Sequence, residues 1–454
     1  MPVDKDYNSF IRGQLPSSIY VELIESLDKQ PLTSIRVNPK KKAKIKLPTE
    51  GLNHTDFGFV LPYRPRFIAD PAFHSGLYYV QESNSMWIGE IVKNLIKTLP
   101  EGVVVLDLCA APGGKSTHIS SILGPTDLLV ANEIISSRNS ILFENLCKWG
   151  VGNFIITKAD AKDIGQNKGL FDIIVCDVPC SGEGLFRKDS NSKNEWSPEN
   201  VNLCSLRQQR ILHDIWNSLK PGGYLIYSTC TYNTLENEDN VKKFVHDFGA
   251  ELIELDIFKN SDLYSLDSKM YRCLPFLTKG EGLFFAVMQK PQDKIEANNK
   301  NNRPGRIEFS SFKFDDQVLT VIKSKSENYF LNPKGWIDVN SSILNSLPNV
   351  IHYGTPIGPE YHGQHKFHPA FALHCSENKP FPTIEIPLEL TSKYFRKEFM
   401  NEVIATKGTV GLKWNNYNIG TANSIKNGLN NLWPSEWRVR DTIIAESIIE
   451  QQDI

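Results

Sequence analysis

The middle of the sequence alternates continuous apolar runs with longer stretches of helical character, and this pattern constrains the fold more than any other feature. Strands are predicted at Val103–Ala110, Leu128–Glu133, Phe154–Asp160, Phe171–Asp177 and Tyr224–Thr229. Helices are predicted at Lys115–Leu123, Ser136–Trp149, Pro198–Leu219 and near Asn237–Phe248. Because the strands hold unbroken Val, Ile and Leu, they are expected to be parallel and buried on both faces. The pattern predicts an α/β fold, with a parallel sheet covered by helices.

Proline and glycine mark the ends of several of these elements. Pro198 follows Ser197, which predicts a capped helix start, and Pro221-Gly222-Gly223 predicts a turn before the next strand. The later helix leads to a segment at Glu251–Leu255, and Gly282–Gln289 is predicted as the last strand of the sheet.

The rest of the sequence divides around this central part. Residues 1–100 have their own helix and strand signals, and residues 101–290 hold the predicted sheet. Residues 291–305 are polar and lack an apolar period, which predicts a linker. Residues 306–454 resume with strand-like and aromatic segments, and we expect them to form a separate small α+β domain.

Composition excludes some classes of protein without naming a partner. The eight cysteines form no CxxC pair, which predicts reduced thiols in a cytoplasmic protein, with neither disulfides nor a zinc or other metal site. No apolar leader or membrane-length run is present, so no membrane association is expected. The net charge of −2 conceals one basic run near Arg36, for which a solvated loop is the simpler interpretation. That run contains Lys40, Lys41, Lys42, Lys44 and Lys46.

A glycine turn follows the first predicted strand, in the sequence CAAPGGKS from Cys109 to Ser116. Ligands of open parallel sheets bind beyond the carboxyl ends of the strands, where such a turn meets a helix N-terminus. A phosphate loop would need glycine at the position of Cys109, and the dinucleotide pattern Gly-x-Gly-x-x-Gly is absent. Binding of a nucleoside triphosphate or of NAD is therefore disfavoured.

Three acids end successive predicted strands at the same edge: Glu133, Asp160 and Asp177. Solvated loop positions would explain any one of them, but one shared ligand explains all three beside Gly113 and Gly114 better. S-adenosylmethionine has a ribose, an adenine amino group and an ammonium group, all of which favour acidic partners. This cofactor is therefore predicted.

Two cysteines lie where strands meet the ligand edge, in DVPCSGEG (Asp177 to Gly184) and YSTCTYN (Tyr227 to Asn233). A buried core cysteine is the usual interpretation of a single thiol, and we adopt it for Cys147, Cys176 and Cys204. Cys180 and Cys230 instead follow their strands, among the Pro, Ser, Gly and Thr residues of turns.

Together DLCAAPGGKST, DVPCSGEG and YSTCTYN resemble the RNA cytosine-5 methyltransferases of the Nop–Sun family. SIRVNPKK and YYVQESNSM resemble the N-terminal part of that family, so the similarity covers about residues 1 to 290. The layout is most similar to bacterial members that modify small-subunit 16S ribosomal RNA, and the short segment HKFHPAFALH supports this. The resemblance implies a Rossmann-like core with an N-terminal α+β RNA-binding extension and a small C-terminal PUA-like RNA-binding domain.

The resemblance also implies roles for residues of the site. It assigns attack on cytosine C6 to Cys230 and assistance in product release to Cys180. As a hypothesis, Lys115 and the sulfonium favour the Cys230 thiolate. Asp177 contacts either the cytosine amide edge or the cofactor ammonium. The implied cofactor contacts are Cys109, Ala110, Ala111, Pro112, Gly113, Gly114, Lys115, Glu133, Arg138, Asp160 and Asp177.

For the RNA itself, the family motif places Arg36 and Asn38 near the substrate, and phosphate contact then becomes the favoured role of Lys40 and its neighbours. The target base must leave its stack to reach Cys230. Phe186 and Tyr232 flank the site, where base stacking and ordinary packing are equally expected. The histidines His362, His365 and His368 lack a metal pattern and are predicted to lie in a loop or on an RNA face.

Other functions remain open at this stage. A transfer-RNA cytosine-5 methyltransferase fits the same motifs, and a non-catalytic ribosome-assembly factor fits the same fold. The presence of both Cys180 and Cys230 favours the enzyme, since a scaffold needs neither. Amino-directed methyltransferases place Asp/Asn-Pro-Pro-aromatic where this chain has Asp177-Val178-Pro179-Cys180. The expected partner is 16S ribosomal RNA or the small ribosomal subunit, and a monomer is expected.

Overall fold

The computed structural model describes residues 5–41, 43–46, 49–292, 308–314, 317–323, 328–331, 343, 346–361, 364–375, 379–443 and 447–451. Helices α1 to α12 span Lys5–Arg12, Ser17–Leu27, Pro71–His74, Trp87–Ile96, Gly114–Ile122, Ser136–Trp149, Ala161–Gly165, Ser190–Glu195, Pro198–Ile215, Glu238–Phe248, Pro369–Leu373 and Leu388–Phe395. Among these described residues, no helix has the length and apolar character needed to cross a membrane.

The strands are short and fall into several sheets. Strands β1 to β14 span Thr33–Val37, Ala43–Ile45, Glu50–Leu52, Thr55–Leu61, Tyr78–Val80, Val104–Asp107, Leu128–Asn132, Phe154–Thr157, Phe171–Asp177, Leu219–Thr229, Glu251–Leu252, Tyr264–Asp267, Met270–Cys273 and Leu283–Gln289. Strands β15 to β26 span Glu308–Phe314, Gln317–Lys323, Asn328–Leu331, Val350–Tyr353, Thr355–Gly358, Glu360–Tyr361, Gln364–His365, Thr383–Glu385, Gly408–Trp414, Tyr417–Ile425, Gly428–Asn431 and Ile449–Gln451.

The central sheet has the strand order β12-β13-β14-β10-β9-β6-β7-β8-β18. Strands β10, β9, β6, β7 and β8 are parallel, as the unbroken apolar runs predict. Leu106 of β6, for example, is fully buried and pairs with both Val130 and Ile174. The predicted α/β fold is confirmed, and β14 closes one side of the sheet by pairing antiparallel to β10.

Two predicted boundaries near β10 are wrong. Helix α9 ends at Ile215, and a short 3-10 turn at Trp216–Ser218 leads directly into β10 at Leu219. The predicted turn at Pro221-Gly222-Gly223 lies inside β10, as an irregularity between the pairs that Leu219 and Tyr224 make with β9. The start of α9 is as predicted, since the Ser197 side chain accepts a hydrogen bond from the backbone N–H of Asn200.

Residues 1–100 form a four-stranded antiparallel sheet, β3-β4-β1-β5, flanked by helices. Helix α4 packs on α5 of the central domain, and its buried residues Ile88, Ile91 and Val92 belong to the same apolar cluster as Ile119 of α5. At the other end of this region, Tyr7 of α1 makes edge-on ring contacts with Phe186 and Trp196. The N-terminal helices therefore cover the loop that follows β9.

The C-terminal part has its own sheets, β15-β16-β17-β19 and β22-β23-β24-β25, but it is not separate as predicted. Strand β18 extends the central sheet by pairing with β8, and β26 pairs with β2 of the N-terminal part. β18 thus covers an edge of β8 that would otherwise be exposed, and β26 does the same for β2. Most of the predicted linker, from residue 293 to 305, lies outside the described residues.

Candidate active site

The glycine turn after β6 leads into α5 at the carboxyl edge of the parallel strands. Gly113 has φ +114° and forms the N-terminal cap of α5, a backbone conformation that glycine adopts without strain. A Cβ at Gly113 would also lie 3.3 Å from Leu142, so the turn packs directly on α6. The backbone N–H groups of the first turn of α5 consequently face the strand ends, as the sequence predicts.

Lys115 and Asp177 form an ion pair across this edge. The Lys115 Nζ–Asp177 Oδ2 distance is 2.7 Å, and the Ser228 hydroxyl donates to the other Asp177 oxygen at 2.7 Å. Burial disfavours the charged form of Lys115, but attraction by Asp177 and Asp107 outweighs this and raises the pKa of Lys115. A negative charge on Cys230 raises the pKa of Lys115 further, so the ammonium lies near that thiol. Lys115 is therefore held protonated near Cys230.

Cys180 and Cys230 meet at the centre of the site. Their Sγ atoms are 3.2 Å apart, and the backbone N–H of Cys230 donates to Cys180 Sγ at 3.3 Å. The hydrogen bond to Cys230, together with burial, raises the pKa of the Cys180 thiol well above its ordinary value. The protonated form of Cys180 is therefore favoured, and its sulfur lies within hydrogen-bonding distance of Cys230.

Two buried carboxylates beneath the cysteines hold their loops in place, and sequence reasoning missed both. Glu183 accepts hydrogen bonds from the backbone N–H groups of Tyr232 and Asn233, at 2.7 and 3.0 Å. Glu236 accepts from the backbone N–H of Ser181 at 3.0 Å. Glu183 follows β9 and Glu236 follows β10. The carboxylate of each loop therefore accepts backbone N–H groups of the other loop. The motif spacing alone did not reveal these pairings.

Asp107, the last residue of β6, is the third residue that sequence reasoning missed. Its Oδ2 accepts a 2.6 Å hydrogen bond from Ser116, while its Oδ1 is buried without a hydrogen-bond partner. Burial raises the pKa of Asp107 to about 6, against the opposing effects of Ser116 and Lys115. The sequence did contain a signal for Asp107, namely an acid at the end of an apolar strand. The same signal indicated Glu133, Asp160 and Asp177.

Glu133 and Arg138 brace the glycine turn from the next strand. Glu133 is buried, its Oε1 accepts from the Ile135 backbone N–H at 2.8 Å, and its Oε2 lies 3.3 Å from Arg138. Arg138 also donates to the carbonyl of Ala111. Asp160 lies after β8 at the same edge, where it caps α7 and pairs with Arg210 at 3.0 Å. The structure thus brings all the predicted cofactor residues to one edge of the sheet.

Comparison with known proteins identifies the family. A family model described as 16S rRNA methyltransferase RsmB/F matches residues 95–289, and the N-terminal domain of 16S rRNA methyltransferase RsmF matches residues 4–83. Ribosomal RNA small subunit methyltransferase F of Vibrio parahaemolyticus is 30% identical over 385 residues, covering 78% of this chain and 79% of that protein. The chain belongs to the RsmB/F family of 16S rRNA methyltransferases. The resemblance expected from the motifs is confirmed.

Other relatives align over different lengths. The protein of the same name from Psychromonas ingrahamii is 28% identical, over 93% of this chain and 95% of the relative. The one from Aeromonas salmonicida is 35% identical over 240 residues, so the chain spans about half the length of that relative.

Solved structures share the fold of this RsmB/F-family chain. A methyltransferase homologue from Pyrococcus horikoshii superposes with a TM-score of 0.55 and 25% identity, over 63% of this chain and 95% of the other. NSun6 from the same organism, solved with SFG, has a TM-score of 0.55 and 20% identity, over 64% and 99%.

In the N-terminal domain of this RsmB/F-family chain, Arg36 and Asn38 are fully buried, which contradicts their predicted contact with RNA. Arg36 donates to Thr117 at 2.6 Å and to the carbonyl of Gly114 at 3.2 Å, and it stacks over Trp149 at 4.2 Å. Asn38 donates to the carbonyls of Gly76 and Trp149. Both residues therefore join the N-terminal sheet to the glycine turn and to α6. Their side chains are buried at this junction, where neither water nor RNA reaches them.

The lysines of the basic run differ in how far their side chains are exposed. Lys41 donates to the carbonyls of Ser75 and Lys148 at 2.6 Å, so its ammonium serves the fold and does not reach phosphate. Burial lowers the pKa of Lys41 to about 8. Lys40 and Lys46 are exposed. Lys42 lies outside the described residues, as does the side chain of Lys44.

The structure also shows the surroundings of Phe186, Tyr232 and His368. Phe186 and Tyr232 are buried in one apolar cluster with Tyr7 and Trp196, so ordinary packing is the correct alternative and base stacking is excluded. His368 caps α11 by accepting from the backbone N–H of Ala370 at 3.1 Å. His362 and the side chain of His365 lie outside the described residues. Within the described part of the chain, no cluster of potential metal ligands is found.

Proposed function

We propose that this chain methylates carbon 5 of cytosine in 16S ribosomal RNA, using S-adenosylmethionine and a covalent bond between Cys230 and cytosine C6. The observation that carries the proposal is the contact between the thiols of Cys180 and Cys230 at 3.2 Å. Membership of the RsmB/F family supplies the RNA class, which is named 16S rRNA in the description of that family. We further propose that the reaction takes place in the cytoplasm and that the chain acts as a monomer.

The surroundings of the cysteine pair support Cys230 as the nucleophile. A thiolate is the attacking species, and it forms most readily where a cation is close. Lys115 supplies a buried positive charge near Cys230. The hydrogen bond with Cys230 and burial raise the pKa of Cys180 well above its ordinary value, even though its sulfur also accepts the backbone N–H of Cys230.

The residues at the strand ends fit S-adenosylmethionine. Asp107 Oδ1 is a buried acceptor without a partner in the protein, as expected of an atom facing a ligand with N–H groups. Glu133 would hold the ribose, and Ile134 beside it is 52% exposed, which suits an adenine face. A relative from Pyrococcus horikoshii was solved with SFG, an analogue of this cofactor. When bound, S-adenosylmethionine supplies the methyl group.

The side chains of the chain then perform the covalent steps. The Cys230 thiolate bonds to C6 of a cytosine that has left its stack, which breaks the aromatic system and makes C5 nucleophilic. After C5 carries the methyl group, a water molecule takes the C5 proton, and the electrons of the C5–H bond restore the ring and expel the Cys230 thiolate. Cys180 assists this release. Asp177 contributes by fixing the Lys115 ammonium beside Cys230, because Lys115 and Ser228 already engage both of its oxygens.

The two thiols can be told apart with small-subunit RNA from cells lacking the gene. The Cys230→Ala variant should form no 5-methylcytosine and no adduct that survives denaturing electrophoresis. The Cys180→Ala variant should accumulate that adduct, because the bond forms and release is slowed. Methylation is read by bisulfite sequencing, which also locates the cytosine, and Cys147→Ala, a buried thiol of α6, is the matched control.

Two outcomes would overturn parts of this proposal. An adduct formed by Cys230→Ala and absent from Cys180→Ala would exchange the roles of the two thiols. Methylation of transfer RNA with none in 16S ribosomal RNA would contradict the proposed substrate while leaving the covalent chemistry intact.

A further inference from the structure

Three segments that are distant in sequence meet on one side of the molecule, and their exposed side chains are mainly basic. The first is the lysine run with β2, the second is the loop from Tyr63 to Arg66, and the third runs from Arg438 to the end of β26. Arg66 forms an ion pair with Asp441, which joins the second segment to the third. The backbone N–H of Lys46 donates to the carbonyl of Ile448 at 2.9 Å, which joins the first segment to the third.

The exposed charges of these segments are unbalanced. We define the basic surface as Lys40, Arg64, Arg66, Arg438 and Arg440, all of them exposed. Asp441 is the acid of these segments that has a described side chain and is not buried, and the exposed Glu436 lies just before the third segment. Asp441 is engaged by Arg66. Glu436 faces Lys397, whose pKa is lowered by burial in spite of the attraction of Glu436. A positive excess therefore remains where the segments meet.

The geometry of the third segment aims its arginines outward. Val439 is buried while Arg438 and Arg440 on either side of it are exposed, so both guanidinium groups leave the same face of an extended segment. Guanidinium groups bind phosphate through paired N–H donors, which lysine cannot do. Tyr63, 56% exposed beside Arg64, offers a ring for an unpaired base.

We propose that this basic surface binds the phosphate backbone of the RNA substrate, with Tyr63 stacking on an unpaired base. The proposal rests on the proposed function, and it extends RNA binding from the lysine run to Arg64, Arg66, Arg438 and Arg440, which the sequence motifs did not indicate. The C-terminal segment is essential to it, since it contributes two arginines and holds the other two segments together. RNA binding therefore requires both ends of the chain.

The test measures binding of a fluorescein-labelled oligouridylate by anisotropy, over a range of potassium chloride concentrations, with full-length protein. Removing two phosphate contacts in the double variant R438Q/R440Q should weaken binding about tenfold and reduce the salt slope by about 1.4. Tyr63→Ala should weaken binding about tenfold without changing that slope. The control K97Q/K168Q removes two exposed charges at the amino edge of the sheet and should leave both quantities unchanged.

These measurements separate the surface from the chemistry. At saturating RNA, R438Q/R440Q should methylate at the wild-type kcat with a raised KM, because the cysteine site is untouched. Unchanged affinity and slope in R438Q/R440Q would overturn the surface even if methylation is normal. Competition by polyglutamate as strong, per charge, as that by RNA would also overturn it, in favour of an acidic protein partner. Wild-type protein that binds RNA through this surface but forms no 5-methylcytosine would contradict the proposed function alone.

Discussion

Glu183 can accept hydrogen bonds but cannot donate them, and this property makes it a positioning residue for the loop that carries Cys230. Its Oε2 accepts from the backbone of Tyr232 and Asn233, and its Oε1 accepts from Trp196 Nε1 and Asn233 Nδ2. Each oxygen therefore faces two donors. An amide at this position would direct its NH₂ group against two N–H groups in either orientation.

Glu183→Gln should consequently lower kcat about 100-fold, since small displacements of a reacting group have effects of this size. The KM for RNA should change little, because the substitution is buried beneath the site. Single-turnover methylation and adduct yield measure the effect, and Glu195→Gln on the surface of α8 is the control. If Glu183→Gln lowered the melting temperature and left kcat unchanged, Glu183 would have only a structural role.

Asp107 makes stability depend on pH. Its pKa is about 6 in the folded protein and about 3.9 when unfolded, so folding favours the protonated form. The contribution to stability is full below the unfolded pKa and is lost as pH rises through about 6. Asp107→Asn removes this dependence, and its stability relative to wild type should rise by about 1 kcal/mol between pH 5 and pH 8. Urea denaturation at each pH measures the free energy of unfolding, and Asp163→Asn, at an exposed position, is the control. A difference between Asp107→Asn and wild type that does not change with pH would contradict the raised pKa of Asp107.

At the residue scale, the sequence predicts what lies on the motifs and fails for what supports them. Cys180, Cys230, Lys115 and Asp177 meet as predicted, because each follows a strand of the same parallel sheet. Arg36 was misassigned because a positive charge in a motif indicates RNA as readily as it indicates a buried donor. Its guanidinium is buried against Thr117 and Trp149, and only the fold reveals that pairing.

At the level of elements, the C-terminus of α6 contacts the C-terminal part of the chain. Gly150 caps α6 with φ +86°, and a Cβ there would lie 2.4 Å from the carbonyl of Leu373. Gly249 caps α10 with φ +64° and has open space around its Cβ position. The two glycines share a backbone conformation and differ in their surroundings, since a Cβ at Gly150 would also lie 3.0 Å from Lys41 Cε.

Gly249→Ala should cost about 1–2 kcal/mol, the penalty for a side chain in the left-handed region. Gly150→Ala should cost more, because the added methyl group also forces α6 and Leu373 apart. The free energy of unfolding in urea gives both values. Equal costs for the two variants would show that the contact at Leu373 does not resist the methyl group.

The strands that the sequence predicts best are those buried on both faces. β6 to β9 have unbroken apolar sequences because helices cover both sides of them. Strands β12 and β18 escape prediction for the opposite reason. Tyr264–Asp267 and Val350–Tyr353 are only half buried, so no apolar run distinguishes them from loops.

At the scale of the whole molecule, the C-terminal part is integral to the catalytic domain. β18 pairs with β8, and the Lys148 ammonium lies over the rings of Trp433 and Trp437, at 5.4 and 5.7 Å. Removal of these groups exposes a strand edge and the apolar surroundings of Lys148. The predicted division at residues 291–305 follows composition, whereas the pairing of strands crosses it.

A fragment ending at Gln292 should therefore be less stable than the full chain and prone to association. Thermal unfolding and size-exclusion chromatography with light scattering measure these two properties. A monomeric fragment with the melting temperature of the full chain would show that the C-terminal part contributes nothing to the catalytic domain.

The pairing of β2 with β26 also has a consequence for biosynthesis. Ala43–Ile45 is synthesised long before Ile449–Gln451, because the whole central sheet lies between them in the sequence. Because folding proceeds from the N-terminus during synthesis, the early strand has to wait for its partner until Ile449–Gln451 has emerged from the ribosome. The strand pair that joins the N-terminal and C-terminal parts is then completed after the central sheet has had time to form.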